Sequence, residues 1–229
     1  SIEDHFEKYI ENIYLKENNK KIDDKNPGSK LSLSKLSFSY TRQIEPLGLG
    51  HAVWCARDLV GNDPFAVLLA DELFVSSIPC LKQLLNVYEK NQGCIIGLGE
   101  VPFEQTSRYG VVSYSEENGN VFKLNGMVEK PEPKHAPSNL SIIGRYILQP
   151  EIFNLLEGQK STIGGEIQLT DSMLELLKHI NFHGVKFEGE RFDCGSKAGF
   201  IKANVALGLM RTELNEELIN YLKSPSLIK

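Results

Sequence analysis

The sequence predicts an α/β fold: an open, mixed, mostly parallel sheet of the doubly wound kind, with helices on both faces. Three observations carry this. Strand-like and helix-like segments alternate as β-α-β-α-β at short spacing between Leu36 and Leu98. Two of the strand-like segments, Phe65 to Ala70 and Cys94 to Leu98, are uninterrupted apolar runs of the sort buried on both faces of a parallel sheet. Between the first two strands, Pro46-Leu47-Gly48-Leu49-Gly50-His51 is a glycine-rich turn opening into a helix through Ala56.

Taken in chain order, Ser1 with Asp4 reads as a helix start, and Ile2, Phe6, Tyr9, Ile10, Ile13 and Tyr14 follow at helical spacing. Residues 16–30, rich in Asn, Lys and Asp, are predicted to form a mobile surface loop, because they bury too little apolar surface to fold. Leu36, Phe38 and Tyr40 alternate with Ser37, Ser39 and Thr41 as a half-buried strand does. The Phe65 to Ala70 strand stops at Asp71-Glu72. A helix follows it, with Ile78, Leu81, Leu84, Leu85 and Tyr88 on one side.

Past Arg108 the rhythm changes. Tyr109 to Tyr114 and Val121 to Val128 are two strands joined across Glu117-Asn118-Gly119-Asn120, a hairpin signal. Pro131 to Pro137 is a stiff connector and Leu140 to Leu148 a further strand. Helices at 150–157 and 168–180, a strand at Val185 to Phe187, and a helix from Ala198 to Met210 come next. Residues 212–229 make a final amphipathic helix and tail, and the whole chain reads as a single domain.

Composition bounds the function. The 229 residues carry 25 basic and 30 acidic side chains, a net charge of −5, and are 41% hydrophobic, which is ordinary globular stock. No apolar run approaches the ~20 residues of a membrane span. A mildly acidic balance without a basic stripe argues against a nucleic-acid binder, although it permits one bound nucleotide. Cys55, Cys80, Cys94 and Cys194 lie far apart and fit reduced thiols in the cytoplasm.

Several residues are candidates for chemistry. Asp71 ends a buried strand, where an unpaired carboxylate is costly, so it sits at an open edge, caps the next helix or holds a cation. Asp193, ahead of Cys194-Gly195, occupies a similar place. The two could meet across the mouth of the sheet and hold a Mg²⁺ that bridges phosphate oxygens. The turn around Gly48 lets backbone N–H groups approach a ligand, or is a plain tight turn; Gln43 before it has an amide suited to reading a base. Glu129 and Lys130, at a strand end, point to opposite faces if the strand stays regular, which would give the carboxylate to sugar hydroxyls and the ammonium to a phosphate. Glu166 stands at a helix start, where it could simply cap.

Considered together, these segments resemble the bacterial UTP:glucose-1-phosphate uridylyltransferases. The matching pieces, in family order, are Ser1-Ile2-Glu3-Asp4-His5-Phe6, Gly48 to Val53, Leu69-Ala70-Asp71, Tyr109 to Val112 and Val128-Glu129-Lys130-Pro131. They continue through Ala136 to Leu140 with Gly144-Arg145-Tyr146, then Gly165 to Asp171 and Asp193 to Lys197.

The resemblance implies a Rossmann-like nucleotidyltransferase fold and the joining of UTP to glucose 1-phosphate, giving UDP-glucose and pyrophosphate. It implies that Gln43 and Gly48 hold uracil, that Asp71 and Asp193 bind Mg²⁺, and that Gly110, Glu129 and Gly144 line the sugar site. Lys130 would meet the sugar phosphate, and Glu166 would shape the sugar pocket. A homo-oligomer is a further family expectation. The family also begins with a strand, a loop of the form G-x-G-T-R and a Pro-Lys-Glu segment, which should all precede Ser1. The resemblance thus implies missing N-terminal strands and impaired activity for the chain alone. Two other readings share these residues: a non-catalytic remnant that binds a nucleotide, a sugar or a partner subunit, and a sugar-phosphate thymidylyltransferase.

Overall fold

The computed structural model describes residues 37–159 and 165–224. The chain divides into two compact units, residues 1–44 and 45–229. Of the first, residues 37–44 are described, and they contain no helix or strand, with Phe38 and Tyr40 exposed. The strand expected around Leu36 to Thr41 is therefore not formed over its described part. Alternation marks which side chains could face a core, but a strand exists only where a neighbouring edge supplies its ladder hydrogen bonds. The helix expected from Ser1 and the loop at 16–30 lie outside the described residues.

The second unit contains a six-stranded sheet. Its strands are β1 (Phe65–Leu68), β3 (Cys94–Glu100), β4 (Gly110–Asn118), β5 (Val121–Glu129), β6 (Leu140–Leu148) and β7 (Phe182–Lys186), in the order β1-β6-β3-β7-β5-β4. A separate two-stranded ribbon pairs β2 (Glu72–Val75) with β8 (Glu190–Asp193). The helices are α1 (Leu49–Trp54), α2 (Arg57–Val60), α3 (Cys80–Asn91), α4 (Ile152–Gly158), α5 (Leu169–Leu176), α6 (Lys197–Leu209) and α7 (Thr212–Leu222).

Helices do cover both faces, as predicted, but the sheet is not mostly parallel. Among the described strands only β3 and β7 run parallel; β1–β6, β3–β6, β5–β7 and β4–β5 are antiparallel. The Cys94 to Leu98 run misled on direction because it reports burial, whereas the Phe65 to Ala70 run is not enclosed on both faces: β1 alternates half-buried and exposed residues, with Leu68 exposed. Ile95 and Ile96 are adjacent on β3, so they face opposite sides of the sheet, and both are fully buried. On one side Cys80, Leu84 and Val87 of α3, at helical spacing, pack on Ile95, Ile143, Ile147 and Val185. On the other, Val53, Leu156, Leu169 and Met173 from α1, α4 and α5 cover Ile96, Leu98, Ile142 and Leu148. A strand enclosed in this way needs apolar residues at every position whichever way its neighbours run.

The hairpin of β4 and β5 forms where Gly119-Asn120 predicted it, and β6 spans the predicted residues. The sequence reading missed β2, whose four residues lie between Asp71 and the helix. That helix starts at Cys80 behind Pro79, which leaves Ile78 exposed. Among the described residues, no helix is long and apolar enough to cross a membrane.

Two predictions follow from this packing. A Cβ at Gly50 would stand 2.7 Å from the Ile167 carbonyl oxygen and 2.9 Å from Leu156 Cδ2. Gly50→Ala should therefore cost about 1–3 kcal/mol in urea unfolding, as overpacking does; an unchanged midpoint would refute the contact. His183 on β7 has a buried Nδ1 without a hydrogen-bond partner among the described residues, and burial, then the charge of Lys123, hold its pKa below the ordinary 6.5, against the pull of Glu116. The folded state thus binds fewer protons than the unfolded one. The contribution is nil above the ordinary pKa, and stability falls as pH drops through that value toward the folded pKa. His183→Gln should lose less stability than the parent between pH 7.5 and 5.5 in the same urea assay, and parallel losses would contradict this.

Candidate functional site

The ribbon of β2 and β8 brings the two aspartates together. Register pairs Glu72 with Asp193, so Asp71 lies beside the end of β8, and the Cys194 N–H donates to the Asp71 carbonyl at 2.7 Å. Beyond Asp193 the chain turns through Gly195. A Cβ there would stand 2.9 Å from Asp71 Oδ2 and 3.2 Å from Asp193 Oδ1, so both carboxylates border one point. Asp193 Oδ2 accepts from Tyr109 Oη at 3.0 Å and from Arg108 Nη2 at 3.1 Å, and Oδ1 accepts from the Gly195 N–H at 3.1 Å. Burial, then the hydrogen bond to Asp193, raise the Tyr109 pKa, which keeps its hydroxyl a donor.

Under this pair lies a buried ion pair. Arg191 Nε donates to Glu72 Oε2 at 2.7 Å, and its Nη2 donates to Glu72 Oε1. Burial alone would lower the Arg191 pKa, but the hydrogen bond and charge of Glu72 outweigh it and the net shift is upward. Arg145 fills the other flank: Nη1 donates to the Leu69 and Gly144 carbonyls, each at 2.9 Å, and Nη2 to the Glu72 carbonyl at 2.7 Å. The guanidinium thereby pins the backbone on which Asp71 sits.

Beside the carboxylates opens a cleft of about 150 Å³, lined by Glu72, Arg108, Gly110, Glu129, Gly144 and Thr170 among others. Gly110 begins β4 opposite Glu129 at the end of β5. A Cβ at Gly110 would stand 3.0 Å from Ile142 Cδ1 and 3.1 Å from both Glu129 Oε2 and Thr170 Oγ1, so a larger residue would crowd this corner. The Thr170 hydroxyl donates to Glu129 Oε2 at 2.7 Å and fixes that carboxylate against the cleft. Gly144 has φ 65°, in the left-handed region, and a Cβ there would press on Leu69 and Glu72, which form the opposite wall.

The predicted site residues divide as follows. Asp71 meets Asp193 at Gly195, and Gly110, Glu129 and Gly144 line the cleft, whose Arg108 and Tyr109 reach across to Asp193. Lys130 is near them, but not as expected. Its φ is 46°, so the strand ends before it, and its Nζ lies 3.5 Å from Glu129 Oε1 rather than on the opposite face. The Lys130 N–H donates to the Tyr109 carbonyl at 3.0 Å, which turns the chain there. Gly48, at φ 93°, packs on Glu166 and Ile167: a Cβ would meet Glu166 Cβ at 2.9 Å. Glu166 accepts from Gln168 at 2.8 Å, and the Gln168 residue itself lines the cleft. Gln43 is half-buried in the first unit, residues 1–44.

Sequence reasoning missed Glu72, Arg108, Arg145, Thr170 and Arg191. A signal existed for one of them: Arg191 and Asp193 are two apart on a strand and share a face.

Hard carboxylate oxygens at a strand end, Asp193, and in the turn before a strand, Asp71, bordering a point left open by a glycine, are a donor set Mg²⁺ takes when it keeps waters or phosphate oxygens as its other ligands. Asp71 and Asp193 therefore fit such an ion. No group of three or more His, Cys, Asp or Glu side chains suited to an all-protein metal cage occurs among the described residues.

A family described as nucleotidyl transferase matches residues 3–208. The UTP–glucose-1-phosphate uridylyltransferase of Staphylococcus haemolyticus is 43% identical over 224 residues, covering 97% of this chain and 77% of that protein. That of Bacillus subtilis is 41% identical over 228 residues, covering 97% and 76%. Among solved structures, a UDP-glucose pyrophosphorylase complexed with UDP-glucose superposes with a TM-score of 0.75 at 42% identity, over 78% of this chain and 69% of that one. The UTP-bound enzyme from Acinetobacter baumannii gives 0.71 at 37% identity, over 79% and 63%. With this identity spread over nearly its whole length, the chain belongs to the UTP–glucose-1-phosphate uridylyltransferase family of nucleotidyl transferases.

Proposed function

We propose that the cleft joins UTP and glucose 1-phosphate into UDP-glucose, with release of pyrophosphate. The observation that carries this is the meeting of Asp71 and Asp193 at Gly195, beside a cleft that presents Glu129 held by Thr170. The carboxylate suits sugar hydroxyls, which it can accept from, and Gly110 and Gly144 line the same cleft. Lys130, adjacent and exposed, supplies a cation to the sugar phosphate once that anion competes with Glu129 for it. Gly48, Glu166 and Gln43 are read as serving the nucleotide and the pocket edge, a reading supported by the family relationship.

In this reaction the sugar phosphate oxygen attacks the α-phosphorus of UTP in line, and pyrophosphate leaves from the opposite side. The protein forms no covalent intermediate. Its work is to hold the two anions in attack geometry and to offset their charge, both of which this chain's residues can do. A bound Mg²⁺ would supply charge neutralisation and a template for the phosphate oxygens. Asp71 and Asp193 would hold it, while Tyr109 and the Gly195 N–H fix the Asp193 carboxylate.

We also propose a cytoplasmic homo-oligomer. All four cysteines are free thiols, which suits a reducing compartment. Phe200, Ile201, Met210, Leu214 and Tyr221 of the α6–α7 region are large and exposed, a face that a second copy would cover. Sedimentation equilibrium should find a dimer or larger species that Ile201→Glu dissociates; a monomer at micromolar concentration would refute this.

Protein expressed from the complete reading frame should make UDP-glucose from UTP, glucose 1-phosphate and Mg²⁺. Failure to do so, or a preference for dTTP, would overturn the assignment. Asp71→Asn and Asp193→Asn should each lower kcat by about 10²-fold or more, the scale of losing one charge-stabilising group. Lys130→Ala should depress kcat/KM for glucose 1-phosphate far more than for UTP, and equal losses would place Lys130 elsewhere.

A further inference from the structure

We propose that Arg108 exchanges partners during binding, balancing Asp193 while no divalent cation is held and turning to the substrate phosphates once one is. This rests on the reading of Asp71 and Asp193 as the cation pair. Arg108 ends the short 3₁₀ turn Phe103–Arg108, and its guanidinium reaches Asp193 Oδ2 at 3.1 Å. Arg108 also lines the cleft with Gly110, Glu129 and Gly144. One guanidinium therefore touches a candidate cation ligand, and its residue borders the cleft proposed for the sugar phosphate, beside the cation whose remaining ligands would be phosphate oxygens.

The other two arginines of the site are not free to move in this way. Arg191 is enclosed and spends both arms on Glu72, so releasing it would strand a buried carboxylate. Arg145 is committed to three backbone carbonyls. Arg108 differs: its side chain is 50% exposed, and its ion pair with Asp193 is of the weakly held exposed kind. It also stacks loosely on Tyr109, with Cζ 5.4 Å from the ring centroid.

A divalent cation at Asp193 would face this guanidinium as a like charge, which weakens the Arg108 contact in proportion to how tightly the cation is held. The displaced fork of N–H donors is well matched to a phosphate, which it can grip with two parallel hydrogen bonds. Tyr109 and the Gly195 N–H keep Asp193 in place after Arg108 leaves, so the carboxylate does not lose its orientation.

The sign of two affinities tests this. Mn²⁺ binding without nucleotide, followed by the paramagnetic signal of the free ion, and UDP-glucose binding with Mg²⁺ present, followed by calorimetry, are compared for the parent, Arg108→Ala, Arg108→Gln and Asp193→Asn. Removing Arg108 should tighten Mn²⁺ binding about two- to fivefold, the span of an exposed ion pair, and weaken UDP-glucose binding by at least as much. Two variants guard against one that folds poorly. A loss of both affinities together, or Mn²⁺ binding unchanged in Arg108→Ala and Arg108→Gln, would overturn the exchange. If Asp193→Asn binds Mn²⁺ as the parent does, the cation reading falls and the exchange with it, a result distinguishable from the first two.

Discussion

The placement of the two aspartates beside the cleft depends on the bidentate pair between Glu72 and Arg191. A two-stranded ribbon of four residues a side is marginal on its own. Here it spans residues 72–75 and 190–193, 119 positions apart between Glu72 and Arg191, and it carries the two carboxylates proposed for the cation at its end. Burying a charged pair costs desolvation, which the paired hydrogen bonds offset only while both partners remain. The arrangement therefore favours one register over any slipped one. A slip of one residue would send Asp193 to the other face of the ribbon, away from Tyr109 and Arg108.

The main sheet supplies the rest of the frame. Antiparallel neighbours let the end of β5 meet the start of β4 directly, which sets Glu129 against Gly110 with no loop between them. Thr170, near the start of α5, closes the third side from the helical layer. The cleft is thus assembled from three kinds of support: a ribbon end, a hairpin base and a helix start. Each is tied to the buried core rather than to surface loops. A site built this way keeps its shape before substrate arrives, as positioning catalysis requires.

Much of this was legible in the sequence, and the exceptions have physical causes. Leu140 to Leu148 and the Gly119-Asn120 hairpin declare themselves through local chemistry, because alternation, apolar length and turn residues act over a few positions. The order of short motifs pointed to the family before any fold was in view. Strand direction was not legible, since Ile95 and Ile96 are apolar for burial on two faces and carry no mark of whether β6 runs up or down. Nor was the ribbon. Leu73, Phe74 and Val75 are too few to announce a strand, and Glu72 reads as a polar stop until its partner 119 residues away is known. Lys130 departs from its expected face because of a left-handed φ at a non-glycine residue, held by the Tyr109 carbonyl, which spacing alone cannot encode.

The cleft works as proposed only if Asp71 and Asp193 form one cation site beside it. The most direct measurement is a crystal structure with Mn²⁺ and UDP-glucose, located by anomalous scattering. One strong peak is expected, bonded to oxygens of both Asp71 and Asp193, at about 2.0–2.3 Å, and to a phosphate oxygen of the nucleotide. A peak that engages neither aspartate, or an occupied UDP-glucose site with the ion held elsewhere, would contradict it.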